Sequence, residues 1–106
     1  MKSVRISERA GESLAEISYW TAKTFGLAQA DQYIEVLVGR MNGIAEGTVQ
    51  RQKCRDVFAN DLHADLCLAR AGRHFVIFTE TTTEIHIIDV IHQSADIGGR
   101  LGGPDE

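Results

Sequence analysis

The chain has 106 residues, a formal net charge of −4 and 43% hydrophobic residues, which suits one domain with one core and is too short for two. An acidic chain is poorly suited to binding nucleic acid through bulk electrostatics, because affinity for phosphate requires clustered Lys and Arg. No run approaches the ~20 apolar residues of a bilayer span, and the N-terminus lacks the apolar centre of a signal peptide. We therefore expect a cytoplasmic protein with no membrane partner and no direct binding of nucleic acid.

The first half of the sequence predicts a short strand and two helices. Val4 and Ile6 alternate with polar neighbours, as in a strand, and Ser7 is a suitable N-cap for the helix that follows. Apolar residues then recur every three or four positions along two segments, which end at Gly26, predicted as a left-handed C-cap, and at Gly47. So short a link predicts an antiparallel helical hairpin. The residues of its apolar face are Ala10, Leu14, Ile17, Trp20, Ala30, Tyr33, Ile34, Leu37, Met41 and Ile44.

The second half predicts three strands joined by short turns. Residues 48–61 are polar and irregular, which predicts a loop or a frayed helix end. Strands are predicted at 62–71, 74–79 and 84–91, separated by turns at Gly72 and at 81–83. Such an arrangement is an antiparallel meander. The predicted fold class is therefore α+β, with an N-terminal strand, a helical hairpin and a three-stranded meander in the order β-α-α-β-β-β.

The last two strands are too continuously apolar for a sheet with one face in water. Residues 75–78 and 85–91 contain few polar positions, so both faces of the sheet need cover. The helical hairpin can cover one face. In so small a chain little remains for the second face, and we expect a partner to cover part of it.

Several segments together resemble the ParE branch of the RelE/ParE toxin superfamily. They are VRIS at the start, the helical hairpin, GRHFVIF, and the ending EIHIIDVIHQSADI. The resemblance extends from residue 4 to residue 101 and is most specific where the final strand runs into His92-Gln93 and then Asp96-Ile97. It implies one RelE/ParE-like domain over residues 1–101. Residues 102–106 are expected to form a flexible tail.

The resemblance implies the toxin component of a type II toxin-antitoxin module. The best-known members inhibit DNA gyrase and block replication, acting by binding, so it implies neither catalytic residues nor a cofactor or metal. A ParD-like antitoxin, whose disordered C-terminal segment folds onto the toxin, would form a hetero-oligomer with it. The candidate residues for target binding are Arg70, Arg73, His74, His92, Gln93, Asp96 and Arg100. The candidate residues for antitoxin binding are Trp20, Tyr33, Phe75 and Ile77.

Two alternative functions follow from the same residues. The RelE branch cuts mRNA on the ribosome, and cleavage requires a base for the 2′-hydroxyl and cations for the developing phosphorane charge. Arg70, Arg73, His74 and His92 could be assembled into such a site, although no tyrosine follows Tyr33. The other alternative is a non-toxic interaction domain.

Other chemistries are poorly supported by spacing. Cys54, His63, Cys67 and His74 show none of the tight pairs of a zinc site, and both cysteines are expected to be free thiols in a reducing compartment. Residues 92–96 include a histidine, a serine and an aspartate, but neighbours along a chain do not supply the geometry of a hydrolase triad.

Overall fold

The computed structural model describes residues 1–58 and 62–95. The elements are β1 (Ser3–Ile6), α1 (Glu8–Phe25), α2 (Leu27–Glu46), β2 (Gln52–Lys53), α3 (Cys54–Val57), β3 (Cys67–Ala71), β4 (His74–Glu80) and β5 (Glu84–His92). The strands form one sheet in the order β1-β5-β4-β3-β2, in which β1 pairs parallel with β5 and the other neighbours are antiparallel. The predicted fold class and the three-stranded meander are confirmed, with one short strand and one short helix added before the meander.

The helical hairpin begins and ends at the residues that the sequence indicates. The Ser7 hydroxyl accepts a hydrogen bond from the Ala10 amide at 3.0 Å and donates one to the Ile88 carbonyl at 2.8 Å, so the N-cap also ties α1 to β5. Gly47 ends α2, as predicted, and it adopts the left-handed conformation. The prediction of a left-handed cap at Gly26 is wrong: its φ of 98° is positive, but its ψ of 164° is extended. This residue must end α1 and begin α2 at once, because its N–H bonds to Ala22 and its carbonyl accepts from Ala30.

The hairpin covers one face of the sheet, as predicted. Leu37 and Met41 of α2 and Phe78 of β4 are almost completely buried there, and each contributes about 1.5–3 kcal/mol through removal of apolar surface from water. The buried residues of this layer are Ala10, Leu37, Met41, Ile44, Ala45, Ala69, Ala71, Val76, Phe78, Ile85, Ile87 and Val90. Both helices are amphipathic, and no helix among the described residues is long and apolar enough to cross a membrane.

The chain itself supplies cover for the second face of the sheet. Cys54 of α3 and Leu62 pack there over Ile77 and Ile91, and all four side chains are at least 96% buried. Phe58 adds an edge-to-face contact with Phe75, with ring centroids 5.4 Å apart. The chain therefore covers these residues itself, and partner cover for part of this face stays a prediction.

The segment before β3 differs from the sequence prediction. Residues 52–57, predicted as a loop or a frayed helix end, form β2 and α3, and β3 begins at Cys67 rather than at residue 62. The loose alternation of apolar residues suggested a longer strand, but local bonds take up the backbone: the Leu66 amide donates to the His63 carbonyl, and the Asp65 amide donates to the His63 ring. Such local turns compete with strand pairing. Leu62 is nevertheless buried, so its apolar character reflects packing.

Candidate functional site

A groove of about 720 Å³ opens between the C-terminal part of α1, the first turns of α2 and the ends of β4 and β5. Ser13, Ile17, Trp20 and Thr24 follow one another at helical spacing and form the α1 wall. The eleven-residue interval from the first to the last corresponds to a wall of roughly 17 Å. The remaining lining residues are Glu16, Thr21, Phe25, Gln29, Tyr33, Arg73, His74, Val90, His92 and Ala95.

Two histidines face each other across β4 and β5 at the sheet end of the groove. His74 is paired directly with His92 in the strand register, which places both side chains on the same face of the sheet. Their ring centroids are 5.1 Å apart and the ring planes are nearly perpendicular. The Tyr33 hydroxyl of α2 lies 2.6 Å from His74 Nδ1 and accepts a hydrogen bond of 2.9 Å from the Arg73 amide. One tyrosine thus connects α2 with the β3–β4 turn and with the histidine pair.

Hydrogen bonds within the protein engage Nδ1 of both rings. The Tyr33 hydroxyl accepts from the Arg73 amide, and the direction of its bond with His74 Nδ1 depends on the tautomer of that ring. His92 Nδ1 accepts from the Ser94 amide at 3.0 Å and lies 2.7 Å from the Ser94 hydroxyl. The N–H of the neutral form of this ring is therefore at Nε2. Both rings line the groove, and Nδ1 of each ring is held by a hydrogen bond within the protein.

Burial keeps His74 uncharged. Desolvation of the half-buried ring, followed by the proximity of His92, lowers the pKa of His74 from 6.5 to about 4. At neutral pH the ring is therefore a hydrogen-bonding group and not a cation.

Asp89 does not line the groove but stabilises its α1 wall by binding the lining residue Ser13. It is 1% exposed, accepts a 2.6 Å hydrogen bond from the Ser13 hydroxyl, and lies 3.3 Å from Arg9 Nε. The same carboxylate accepts from the Val90 amide at 2.8 Å. These bonds join α1 to β5 where β5 extends beyond its pairing with β1. The alternation of the strand gave no indication of a buried acid at this position.

Arg70 and Gln93 lie at the same end of the sheet but outside the groove. Arg70 donates a 2.6 Å hydrogen bond to the side-chain oxygen Oε1 of Gln93, and the backbone N–H of Gln93 donates to the Arg73 carbonyl. The Arg70 guanidinium also lies 6.0 Å from the centre of the Phe75 ring. The first of these bonds joins β3 to the end of β5, and the second joins the β3–β4 turn to it.

The structure brings five of the predicted target-binding residues to one end of the sheet. Arg73, His74 and His92 line the groove, and Arg70 and Gln93 lie beside it. The remaining two candidates, Asp96 and Arg100, lie outside the described residues.

The predicted antitoxin-binding residues fall on two different faces of the sheet. Trp20 and Tyr33 line the groove, whereas Phe75 and Ile77 belong to the opposite layer, where Ile77 is completely buried. Side chains along a strand alternate between faces, so these two residues could not share a surface with His74. The alternation of side chains along the strand is sufficient to predict this separation.

The tip of the hairpin exposes several large apolar side chains, of which the sequence analysis singled out Trp20 alone. Trp20 is 57% exposed, Phe25 72% and Leu27 76%, with Tyr19 stacked edge-on against Trp20. Helical spacing places Trp20 on the apolar face of α1, but more than half of the residue is exposed. Among residues 1–58 and 62–95, no group of three His, Cys, Asp or Glu side chains could hold a metal ion.

Comparison with known proteins identifies the family. Residues 4–97 match the family described as the ParE toxin of the type II toxin-antitoxin system, parDE. The chain is 30% identical over 102 residues to Toxin ParE1 of Caulobacter vibrioides, a match that covers 96% of this chain and all of that protein. A solved structure, described as a chromosomal ParDE toxin-antitoxin system from P. aeruginosa, superposes with a TM-score of 0.63 at 13% identity and covers 87% of this chain and 96% of that one. The last similarity supports the fold, and the first two show that the chain belongs to the ParE toxin family of type II toxin-antitoxin systems.

Proposed function

We propose that this toxin inhibits DNA gyrase in the cytoplasm by binding it, without catalysing a reaction of its own, and that a ParD-like antitoxin neutralises it by occupying the groove. The toxin role itself follows from the family, and a toxin-antitoxin module implies an antitoxin partner. The proposal adds the target, the mode of action and the surface.

The exposed aromatic wall of the groove is the observation that supports the antitoxin site. Trp20 and Phe25 present large apolar surfaces to solvent beside a concave surface, and aromatic side chains of this kind dominate binding energies when a partner buries them. A wall of roughly 17 Å accommodates about three turns of a helix or about five residues of an extended chain. A segment seated there would also cover His74 and His92. The antitoxin would thereby mask part of the predicted target surface.

The chemistry at the sheet end favours binding over cleavage of RNA. Nδ1 of each histidine is occupied by a hydrogen bond within the protein, and Arg70 is directed to Gln93. Arg73 is the one basic side chain, arginine or lysine, that lines the described groove. A single guanidinium would stabilise the negative charge of a phosphorane only weakly. This arrangement suits recognition of a protein surface.

Induced expression without antitoxin tests the proposed target. Growth arrest with a strong DNA-damage response while protein synthesis continues would support gyrase inhibition, and purified gyrase would then accumulate cleaved DNA in the presence of the toxin. Arg73→Gln and His92→Gln should weaken this effect, whereas Arg40→Gln, on the exposed side of α2, should not. Arrest with early failure of translation, loss of mRNA and no damage response would refute the proposal in favour of RNA cleavage.

Co-expression with the antitoxin tests the groove separately. Trp20→Ala and Phe25→Ala should each weaken the toxin-antitoxin complex by about tenfold or more, since each removes a buried aromatic contact. Val57→Ala removes an exposed apolar side chain from α3, far along the chain from the hairpin tip, and serves as the control. Unchanged affinity in both aromatic variants would show that the antitoxin binds elsewhere.

A further inference from the structure

We propose that Arg73, His74 and His92 form an anchor for a carboxylate, and that the antitoxin segment in the groove carries an Asp or Glu side chain that docks there. The inference rests on the proposed docking of the antitoxin in this groove. It adds the chemistry and the orientation of the bound segment.

The geometry places three donor side chains, two imidazoles and one guanidinium, at one end of the groove. His92 Nδ1 accepts from the Ser94 amide, so the N–H of the neutral form of that ring is at Nε2, and donation by the Tyr33 hydroxyl to His74 Nδ1 would place the N–H of His74 at Nε2 as well. The side chains of His74 and His92 stand directly opposite each other on adjacent strands, and Arg73 precedes His74 in the chain and lines the same groove. Donors and a guanidinium gathered in this way suit a carboxylate, which accepts several hydrogen bonds and pairs with arginine in a bidentate manner.

The charges around the groove confine an acidic side chain to this end. Glu16 of α1 is the acidic residue among the lining residues, and it lies one turn before Trp20 on the opposite wall. Asp89 lies behind the wall, where Arg9 and Ser13 bind its carboxylate, and α2 contributes the hydroxyl of Tyr33. An acidic residue would therefore be repelled by the α1 wall and attracted to Arg73. With apolar residues against Trp20 and Phe25, the segment has one favoured direction in the groove.

Carboxylate docking has a consequence for protons. In the free toxin the pKa of His74 is lowered to about 4 by burial, so the ring is neutral near pH 7. A carboxylate placed against it favours the charged ring and raises that pKa. The complex then takes up a proton that the free toxin does not hold. Affinity for an acidic segment should therefore rise as the pH falls below neutral towards the lowered pKa of the free ring.

Peptide selection provides a test that does not depend on knowing the antitoxin sequence. A phage library of random peptides of about 12 residues, a length that suits the groove as a helix, is selected against the full-length toxin near pH 6. We expect the enriched peptides to carry an Asp or Glu at a fixed distance from apolar or aromatic residues. Replacing that acid by its amide in a selected peptide should weaken binding about tenfold, the size expected for a charged hydrogen bond.

A double-mutant cycle then locates the acid. Arg73→Gln should weaken the acidic peptide about tenfold but leave its amide analogue nearly unchanged, because the two changes remove the same interaction. His74→Gln should reduce the increase of affinity at lower pH, while Arg40→Gln should leave both affinity and pH dependence as in the wild type. Thermal denaturation of each variant confirms that it is folded.

The possible failures are distinguishable from one another. Selected peptides without a recurring acid, or an acid whose removal costs as much in Arg73→Gln as in the wild type, would overturn the carboxylate anchor. The groove would remain the docking site in either case if Trp20→Ala still abolished peptide binding. Peptides whose binding is insensitive to Trp20→Ala, or no enrichment of peptides at all, would refute the groove as a docking site and with it the carboxylate anchor.

Discussion

Acidification should destabilise the folded protein through His74. The pKa of this ring is about 4 in the folded chain and near 6.5 when the ring is in water, and the main cause is burial. A lowered histidine pKa means that the unfolded state binds more protons between these two values. The stabilisation is therefore fully present above about pH 6.5 and is lost as the pH falls from about 6.5 to about 4.

The expected magnitude follows from the two pKa values. If the whole difference is expressed, the free energy of unfolding falls by about 2 kcal/mol between about pH 7.5 and pH 5. Because the ring is only half buried and lines an open groove, solvent reduces this figure, and we expect about 1 kcal/mol. For a chain of this size that corresponds to a shift of the urea midpoint of about 0.5–1 M.

Urea denaturation at a series of pH values measures the effect. His74→Gln removes the titrating group but keeps an acceptor for the Tyr33 hydroxyl, so this variant should lose about 1 kcal/mol less than the wild type over the same pH range. Carboxylates titrate equally in both proteins and cancel in the comparison. His63→Gln, which changes an exposed histidine, is the matched control. Equal pH dependence in His74→Gln and the wild type would refute the reasoning.

Three further predictions concern packing around the site and in the second layer. Gly72→Ala should lower the free energy of unfolding by about 2 kcal/mol or more, because φ is +59° and an added Cβ would lie 2.7 Å from the Tyr33 ring. Gly39→Ala, on α2 with open space around the added Cβ, should instead raise the free energy of unfolding by about 0.5–1 kcal/mol. Urea denaturation of both variants decides whether the close approach to Tyr33 matters. Asp89→Asn should cost about 1–3 kcal/mol in urea denaturation, because it weakens buried charged hydrogen bonds; an unchanged midpoint would show that the charge is not needed. Burial raises the pKa of the Cys54 thiol to about 12, so its reaction with a disulfide reagent near pH 8 should proceed only as fast as the chain opens, and immediate labelling would contradict its burial.

Local sequence patterns determined the helices and the meander of this protein. Spacings of three and four residues marked the buried face of the hairpin, and the hydroxyl of Ser7 and the freedom of Gly47 to adopt positive φ fixed two helix ends. Continuous apolar runs joined by short turns identified β4 and β5. These features depend on interactions among residues close in the chain, so the sequence alone contains them.

The site depended on contacts between distant residues. Tyr33 reaches His74 across 41 positions, and Ser13 reaches Asp89 across 76, so neither pair has a local signature. The face on which each residue lies also required the packed sheet, which separated Phe75 and Ile77 from Trp20 and Tyr33. Finally, Trp20 follows the same helical spacing as the core residues, yet it is 57% exposed, and spacing alone does not distinguish it from them. Periodicity specifies which face of a helix is apolar, whereas tertiary structure decides where along that face there is something to bury it.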